Sequence, residues 1–288
     1  MSQFELAAAY HLAYDAANEI VDESGLVFDR LSYSRMKYGD GTATQKFADD
    51  LCGALVEEVP AIVEDRNPPE FLVAYKAVPP ACYYLSKHCL DGVNALRADV
   101  GNSAGTIVKV HKDKVAATNY AAASPEEREK ELSSIGFSLG SHRLTEGPVV
   151  ILDDIRITGA AERTMLDVLR EQNPRLVTLG YVAIFDRVQA QHNPGVENDL
   201  NASVVSGVSD LVPMIEKDNF ELNIRTVKMI LATPVEELAE FASIIPVELL
   251  GRIASGAEAT GSDFMNQYAT GYHAIKTAYD ARRGQYVR

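Results

Sequence analysis

Val149-Val-Ile-Leu-Asp-Asp-Ile-Arg-Ile-Thr-Gly-Ala-Ala161 is the stretch from which the fold can be read. Its four leading apolar residues predict a buried strand over 148–152. Asp153 and Asp154 follow at the carboxyl end of that strand. Thr158-Gly159 then opens a helix running to about 172, with Met165, Leu166 and Leu169 on an apolar face. In an open α/β sheet, ligands bind outside the carboxyl ends of the strands. The free N–H groups of a helix start favour an anion there. Adjacent carboxylates can accept hydrogen bonds from sugar hydroxyls, so the two features together suit a phosphorylated ribose.

The same stretch resembles the phosphoribosyl-diphosphate signature of type I phosphoribosyltransferases: four apolar residues, two acidic ones, three variable ones, then Thr-Gly. The resemblance implies that Asp153 and Asp154 hold the ribose 2- and 3-hydroxyls. It also implies that Thr158, Gly159, Ala160, Ala161 and Glu162 wrap the 5-phosphate. Ile157 stands where many members carry an acidic residue, and Ala161 where many carry a hydroxyl. The phosphate would therefore lean more on backbone N–H groups, Thr158, and Arg156 or Arg163. A Walker B strand is the competing reading of four apolar residues before Asp-Asp. It needs a Gly-x-x-x-x-Gly-Lys-Ser/Thr partner, and the chain has none; nor has it Gly-x-Gly-x-x-Gly.

Working outward, strands alternate with helices. Expected strands are Phe71–Tyr75, Thr106–Val110, 148–152 and Leu176–Phe185; expected helices are 3–22, the stripe Phe47, Leu51, Ala54, Leu55, and Ala81–Leu96. Ser124-Pro-Glu-Glu127 reads as a helix start. This pattern predicts a mostly parallel sheet flanked by helices, an α/β fold. After about residue 208 the spacing is helical throughout, with Thr233-Pro-Val-Glu236 as a cap. The predicted organisation is a phosphoribosyltransferase-like core over 1–207 with N-terminal helices, and a C-terminal helical subdomain over 208–288 packed on it.

Three further segments carry candidate contacts. The strand-to-helix turn Tyr75-Lys-Ala-Val-Pro-Pro-Ala-Cys82 stands where the family places a pyrophosphate loop, which would put Tyr75 and Lys76 near the diphosphate; an ordinary βα turn with Pro at the helix start fits equally. Lys109, His111, Lys112 and Lys114 cluster at the start of a segment of which residues 111–123 have no clear apolar stripe. The family has a closing loop there, often with a basic residue for the leaving diphosphate, a role that falls on Lys112; a solvated strand end is the alternative. Tyr33-Ser-Arg-Met-Lys-Tyr-Gly-Asp-Gly41 is turn-rich, basic and aromatic, with Lys37 as the candidate contact or a plain structural turn as the alternative. With Tyr120 and Glu197-Asn-Asp-Leu-Asn201, it makes the chain similar to the phosphoribosyltransferase-like proteins of bacterial tellurite-resistance-type gene clusters. Asp186 and Arg187, just after a late strand, are candidate acceptor contacts or a surface ion pair.

The bulk composition sets the compartment and the partners. A formal charge of -14 disfavours nucleic acid and anionic membranes as partners. No run approaches a membrane span, and Met-Ser-Gln-Phe-Glu-Leu lacks the features of a signal peptide, so a cytoplasmic protein is expected. Hydrophobic residues are 47% of the chain, enough for a full core. Cys52, Cys82 and Cys89 are odd in number and without close pairs, which argues against a disulfide framework and for buried apolar roles.

The resemblance implies a Mg²⁺-dependent transferase that couples phosphoribosyl diphosphate to a nitrogen base and releases diphosphate. The ion would sit at Asp153 and Asp154 but be held mainly by the substrate, and a homodimer is compatible with it. A ribose-phosphate diphosphokinase-like enzyme, a noncatalytic sensor of phosphoribosyl diphosphate and an interaction scaffold are the alternatives.

Overall fold

The computed structural model describes residues 3–115, 134–157, 159–170, 172–193 and 195–286. The chain forms two compact units, Met1–Arg30, Thr44–Tyr75 and Cys82–Leu200 in the first, Leu31–Ala43, Lys76–Ala81 and Asn201–Arg288 in the second.

The first unit is an α/β layer. Its strands are β1 (Gln3–Tyr14), β2 (Ile20–Asp22), β3 (Glu70–Tyr75), β4 (Thr106–Lys112), β5 (Phe137–Ser138), β6 (Val149–Arg156) and β7 (Leu176–Phe185), in the order β2-β1-β7-β6-β3-β4-β5. Strands β1, β7, β6, β3 and β4 are mutually parallel, and the short β2 and β5 run antiparallel at the two edges. Helix α1 (Arg30–Lys37), almost all of it in the second unit, precedes α2 (Gly41–Glu58) in the chain; α3 (Ala61–Glu64) and α4 (Ala81–Asp99) follow, and α5 (Ala160–Leu169) joins β6 to β7.

Burial explains why these elements hold. Strand β7 is apolar and buried along almost its whole length, as a central parallel strand covered on both faces must be. On one face, Met165 and Leu169 of α5 pack against Leu72, Val108, Val149, Ile151 and Leu179; burying each of the two helix side chains stabilises by about 1.5–3 kcal/mol. On the other face α2 lies so close that a Cβ on Gly180 would meet Leu152 at 2.5 Å and Leu55 at 3.1 Å. Only glycine fits at that point of β7.

The expected helix over 3–22 is instead the strand pair β1 and β2. Alanines 7 to 9 give the segment helix propensity and blur its alternation. Pairing with β7 from Gln3↔Leu176 to Leu12↔Phe185 overrides that preference. The expected strand 148–152 runs on to Arg156, so the acidic pair lies within β6 and not beyond it. The helix after it ends at Leu169. Ser124-Pro-Glu-Glu127 and Tyr120 lie outside the described residues.

The second unit is helical. Its C-terminal part contains α8 (Val212–Ile215), α9 (Ile224–Ala232), α10 (Val235–Ile244), α11 (Val247–Thr260), α12 (Ser262–Gln267) and α13 (Ala269–Tyr286); α6 (Arg187–His192) and α7 (Val196–Asn201), which precede them in the chain, fall in the first unit up to Leu200. Asn223 caps α9 by accepting the Thr226 N–H at 3.1 Å. Thr233 does not cap α10 as the sequence suggests: its hydroxyl turns back and donates to Met229 O at 2.9 Å, and Pro234 occupies the cap position. The expected turn Tyr33–Gly41 is helical up to Lys37.

Candidate active site

Strands β3 and β6 are neighbours, but the chain leaves β3 through α4 toward β4 and leaves β6 through α5 toward β7. That divergence is a topological switch point, the position at which open α/β sheets bind ligands. The ladder between the two strands ends early, at Phe71↔Val150. Strand β6 then continues against β7 alone to Arg156↔Ile184, and β3 continues against β4 alone to Tyr75↔His111.

Alternation along β6 sends Asp153 and Asp154 to opposite faces of the sheet. Asp153 shares the α5 face with Ile151 and stands in register with Tyr181 of β7. Its carboxylate is half-buried, and its Oδ1 accepts the Asp154 N–H at 2.9 Å. Asp154 is 6% exposed, and its Oδ1 accepts the Ile155 N–H at 3.0 Å.

Lys112, the last residue of β4, lies on the Asp153 face. It stands opposite Phe137 in the β4–β5 ladder, with its ammonium 5.0 Å from that ring. Burial pushes its pKa down, and the nearby charges of Cys82 and Asp153 partly restore it. A lysine with a depressed pKa beside a carboxylate at a strand end is the kind of group an active site assembles. On the opposite face Lys109 reaches 4.3 Å from the ring of half-buried Tyr75, whose pKa is raised by burial and by Tyr83.

The turn from β6 into α5 is held by Gly159, the N-cap residue, at φ 70° and ψ 20°. This left-handed conformation suits glycine, and no side chain caps the helix there. The backbone N–H groups of its first turn, Ala160 to Glu162, have no intrahelical partner by construction. Thr158 lies outside the described residues. The Glu162 carboxylate folds back over the turn. Its Oε2 accepts from Arg156 Nε at 2.8 Å and from the Tyr181 hydroxyl at 3.0 Å. Tyr181 was not anticipated from the sequence. Burial, then the charges of Asp153 and Glu162, raise its pKa far above that of a free phenol, so it stays a hydrogen-bond donor. The hydrogen bond that Arg156 donates to Glu162 raises the pKa of Arg156.

Asp186 opens the helix that follows β7. It is the N-cap of α6, accepting the Gln189 N–H at 2.8 Å. It also lines a cleft of about 530 Å³ with His11, Asp22, Arg156, Arg163 and Arg187. Lys76 and Lys37 belong to the second unit. The Lys76 ammonium lies 3.5 Å from where a Cβ would stand on Gly261. Lys37 is 7% exposed, with its ammonium 5.8 Å from the Tyr33 ring and its carbonyl accepting from Asn223 Nδ2 at 3.2 Å. Of the expected set, then, Asp153, Lys112, Arg156 and Glu162 share one neighbourhood. Asp154 and Tyr75 lie on the opposite face of the sheet.

Among the described residues no three His, Cys, Asp or Glu side chains converge as a metal cage, and none of their helices is long and apolar enough to cross a membrane.

A profile of the family described as PRTase ComF-like matches residues 15–257. Among solved structures, a hypoxanthine phosphoribosyltransferase from Staphylococcus aureus matches with 12% identity and a TM-score of 0.28, over 47% of this chain and 61% of that one. The matched region thus spans less than two thirds of that enzyme. No curated protein matches. With the profile covering most of its length, the chain belongs to the PRTase ComF-like family, and its α/β unit is a type I phosphoribosyltransferase-like fold.

Proposed function

We propose that this member of the PRTase ComF-like family is a phosphoribosyltransferase that takes phosphoribosyl diphosphate as donor and a nitrogen base as acceptor. The observation that carries this reading is the uncapped, Gly159-initiated helix start directly after an acidic pair at the β3/β6 switch point. Asp153 accepts hydrogen bonds from the ribose hydroxyls, with Asp154 behind it fixing the backbone at the strand end. The N–H groups of Ala160, Ala161 and Glu162 receive the 5-phosphate, joined by Thr158. Lys112 meets the diphosphate from the end of β4, and Tyr75 lines the other face.

Mg²⁺ fits this arrangement in a limited way. Hard cations bound through phosphates keep several waters and need only one or two carboxylates. The absence of a three-ligand cage among the described residues suits an ion brought with the diphosphate, with Asp153 or Asp154 as its protein contact. When bound, the ion would neutralise charge on the leaving diphosphate. The chain's own residues orient the ribose, hold the phosphate and supply cationic charge through Lys112.

The cleft beside Asp186 and Arg156 falls within the size range of small-molecule sites and is our candidate for the acceptor. Ile157 stands where many phosphoribosyltransferases carry an acidic residue, so the stretch between the strand and the helix lacks that acid–base group. That favours, as a second reading, a protein that binds phosphoribosyl diphosphate without turnover. Incubation with phosphoribosyl diphosphate, Mg²⁺ and a panel of bases, followed by assay of diphosphate release, separates the two. Base-dependent release supports the transferase; saturable binding without release supports the sensor. A place among tellurite-resistance-type clusters is compatible with either.

A further inference from the structure

We propose that the Glu162 carboxylate is a built-in competitor for the ligand's phosphate, seated over the Gly159 turn and displaced when that phosphate takes Arg156 in its place. The inference rests on the phosphoribosyl reading above and adds to it a residue that sets donor affinity.

The geometry is local and specific. A Cβ built on Gly159 would lie 3.3 Å from Glu162 Oε2 and 3.7 Å from Arg156 Nη2. The carboxylate and the guanidinium therefore overlie the turn whose N–H groups would receive a phosphate. The same Oε2 takes the Arg156 Nε–H at 2.8 Å and the Tyr181 hydroxyl at 3.0 Å. Tyr181 is 5% exposed and fixed within β7, so it acts as a latch that does not move with the side chains it holds. The Glu162 side chain is 16% exposed and that of Arg156 36%, which leaves the pair reachable from solvent. An anionic side chain in the first turn is favoured by the helix dipole. It uses the attraction a phosphate would otherwise enjoy.

Two anions cannot share that turn without repulsion. A phosphate has the stronger claim on Arg156, because a guanidinium forms a two-pronged, charge-assisted contact with it. On entry, the phosphate takes the backbone N–H groups and Arg156, and the Glu162 carboxylate swings to solvent. The Glu162 N–H stays in the cradle. The number of ion pairs is unchanged by the exchange, so donor binding is weaker than the same cradle would allow without the carboxylate. On product release, Arg156 and Tyr181 recapture Glu162.

The test is calorimetric titration of the full chain with ribose 5-phosphate and with phosphoribosyl diphosphate in Mg²⁺. The wild type is compared with Glu162→Gln, which keeps size and a hydrogen-bonding oxygen but removes the charge, and with Tyr181→Phe, which removes the latch and leaves the charge. Thermal melts of each accompany the titrations. The expected result is tighter binding of both ligands by on the order of tenfold in Glu162→Gln, and a smaller gain in the same direction in Tyr181→Phe. Equal or weaker binding in Glu162→Gln, with the wild type still binding, overturns the competitor and leaves the phosphoribosyl site standing. Failure of both wild type and Glu162→Gln to bind removes the site itself and the competitor with it. If Glu162→Gln does not fold, Tyr181→Phe decides alone: tighter binding supports the exchange, and equal or weaker binding overturns it.

Discussion

The turn after β6 and the turn after β7 lie on neighbouring strands, in register at Arg156↔Ile184, and each opens a helix. They differ in how the first N–H groups of that helix are served. After β7, Asp186 stands at the cap and accepts the Gln189 N–H itself, so the turn satisfies part of its own need. After β6, Gly159 stands at the cap in a left-handed conformation and offers no side chain. The β7 turn is capped by its own side chain and the β6 turn is not, which is where we propose that the phosphate binds. Asp186 thus spends one oxygen on capping its helix, whereas the role proposed for Asp153 is toward the ribose.

The largest expected effect asks whether the α/β unit can carry both turns by itself. Within the second unit, segment Leu31–Ala43 depends on the C-terminal residues: Thr226 donates to Tyr38 O at 3.2 Å, Asn223 to Lys37 O at 3.2 Å, and the Glu221 N–H to Gly39 O at 2.9 Å. A fragment of residues 1–207 loses these contacts and the apolar partners of that segment. It is expected to be insoluble on expression. A soluble fragment with a cooperative melt would show the C-terminal region to be a separate module.

Next in size is the open turn. Gly159→Val forces a β-branched residue to φ 70°, at a cost of about 1–2 kcal/mol. It also crowds the Glu162 carboxylate. Donor affinity should fall by more than the melting temperature implies, because the cradle itself is deformed. An affinity equal to that of the wild type would show that the turn does not meet the phosphate.

The closed turn should respond in the opposite sense. Asp186→Ala removes a cap and is expected to cost about 1 kcal/mol of stability, with donor affinity unchanged in calorimetry. A large loss of donor binding would mean that the two turns are not divided as described.

The smallest effect is a pH dependence. Burial lowers the pKa of Lys112, and only its protonated form attracts a diphosphate. Donor affinity should therefore decline as pH rises, beginning below the range in which an ordinary lysine titrates. Lys112→Arg, whose charge persists throughout, should abolish that decline in a titration series.

Much of this site is visible in the sequence because its signals are local. An apolar run before Asp153-Asp154, followed by Thr158-Gly159, specifies strand, carboxylates and helix start within one short stretch. What is not visible depends on register and on edges. Tyr181 meets Glu162 only because β7 pairs with β6 at Asp153↔Tyr181, a relation that nothing in Leu176–Phe185 announces beyond a hydroxyl-bearing aromatic in an apolar strand. The ion pair of Arg156 with Glu162 follows from the left-handed turn at Gly159 and not from their spacing in the chain. Strand β1 was hidden by its alanines, which prefer a helix until a neighbouring strand offers a ladder. The end of β6 is not legible in the sequence because charged residues at a strand terminus look like a loop, whereas pairing with β7 carries the strand through them.

The central claim is that phosphoribosyl diphosphate binds at the β6 turn, and the most direct measurement of it is calorimetry on the double variant Asp153→Asn, Asp154→Asn. Hydrogen bonds to charged groups contribute about 1.5–3 kcal/mol each. The account predicts that donor affinity falls by tenfold or more while the thermal melt stays cooperative. Unchanged affinity in a folded double variant would contradict it.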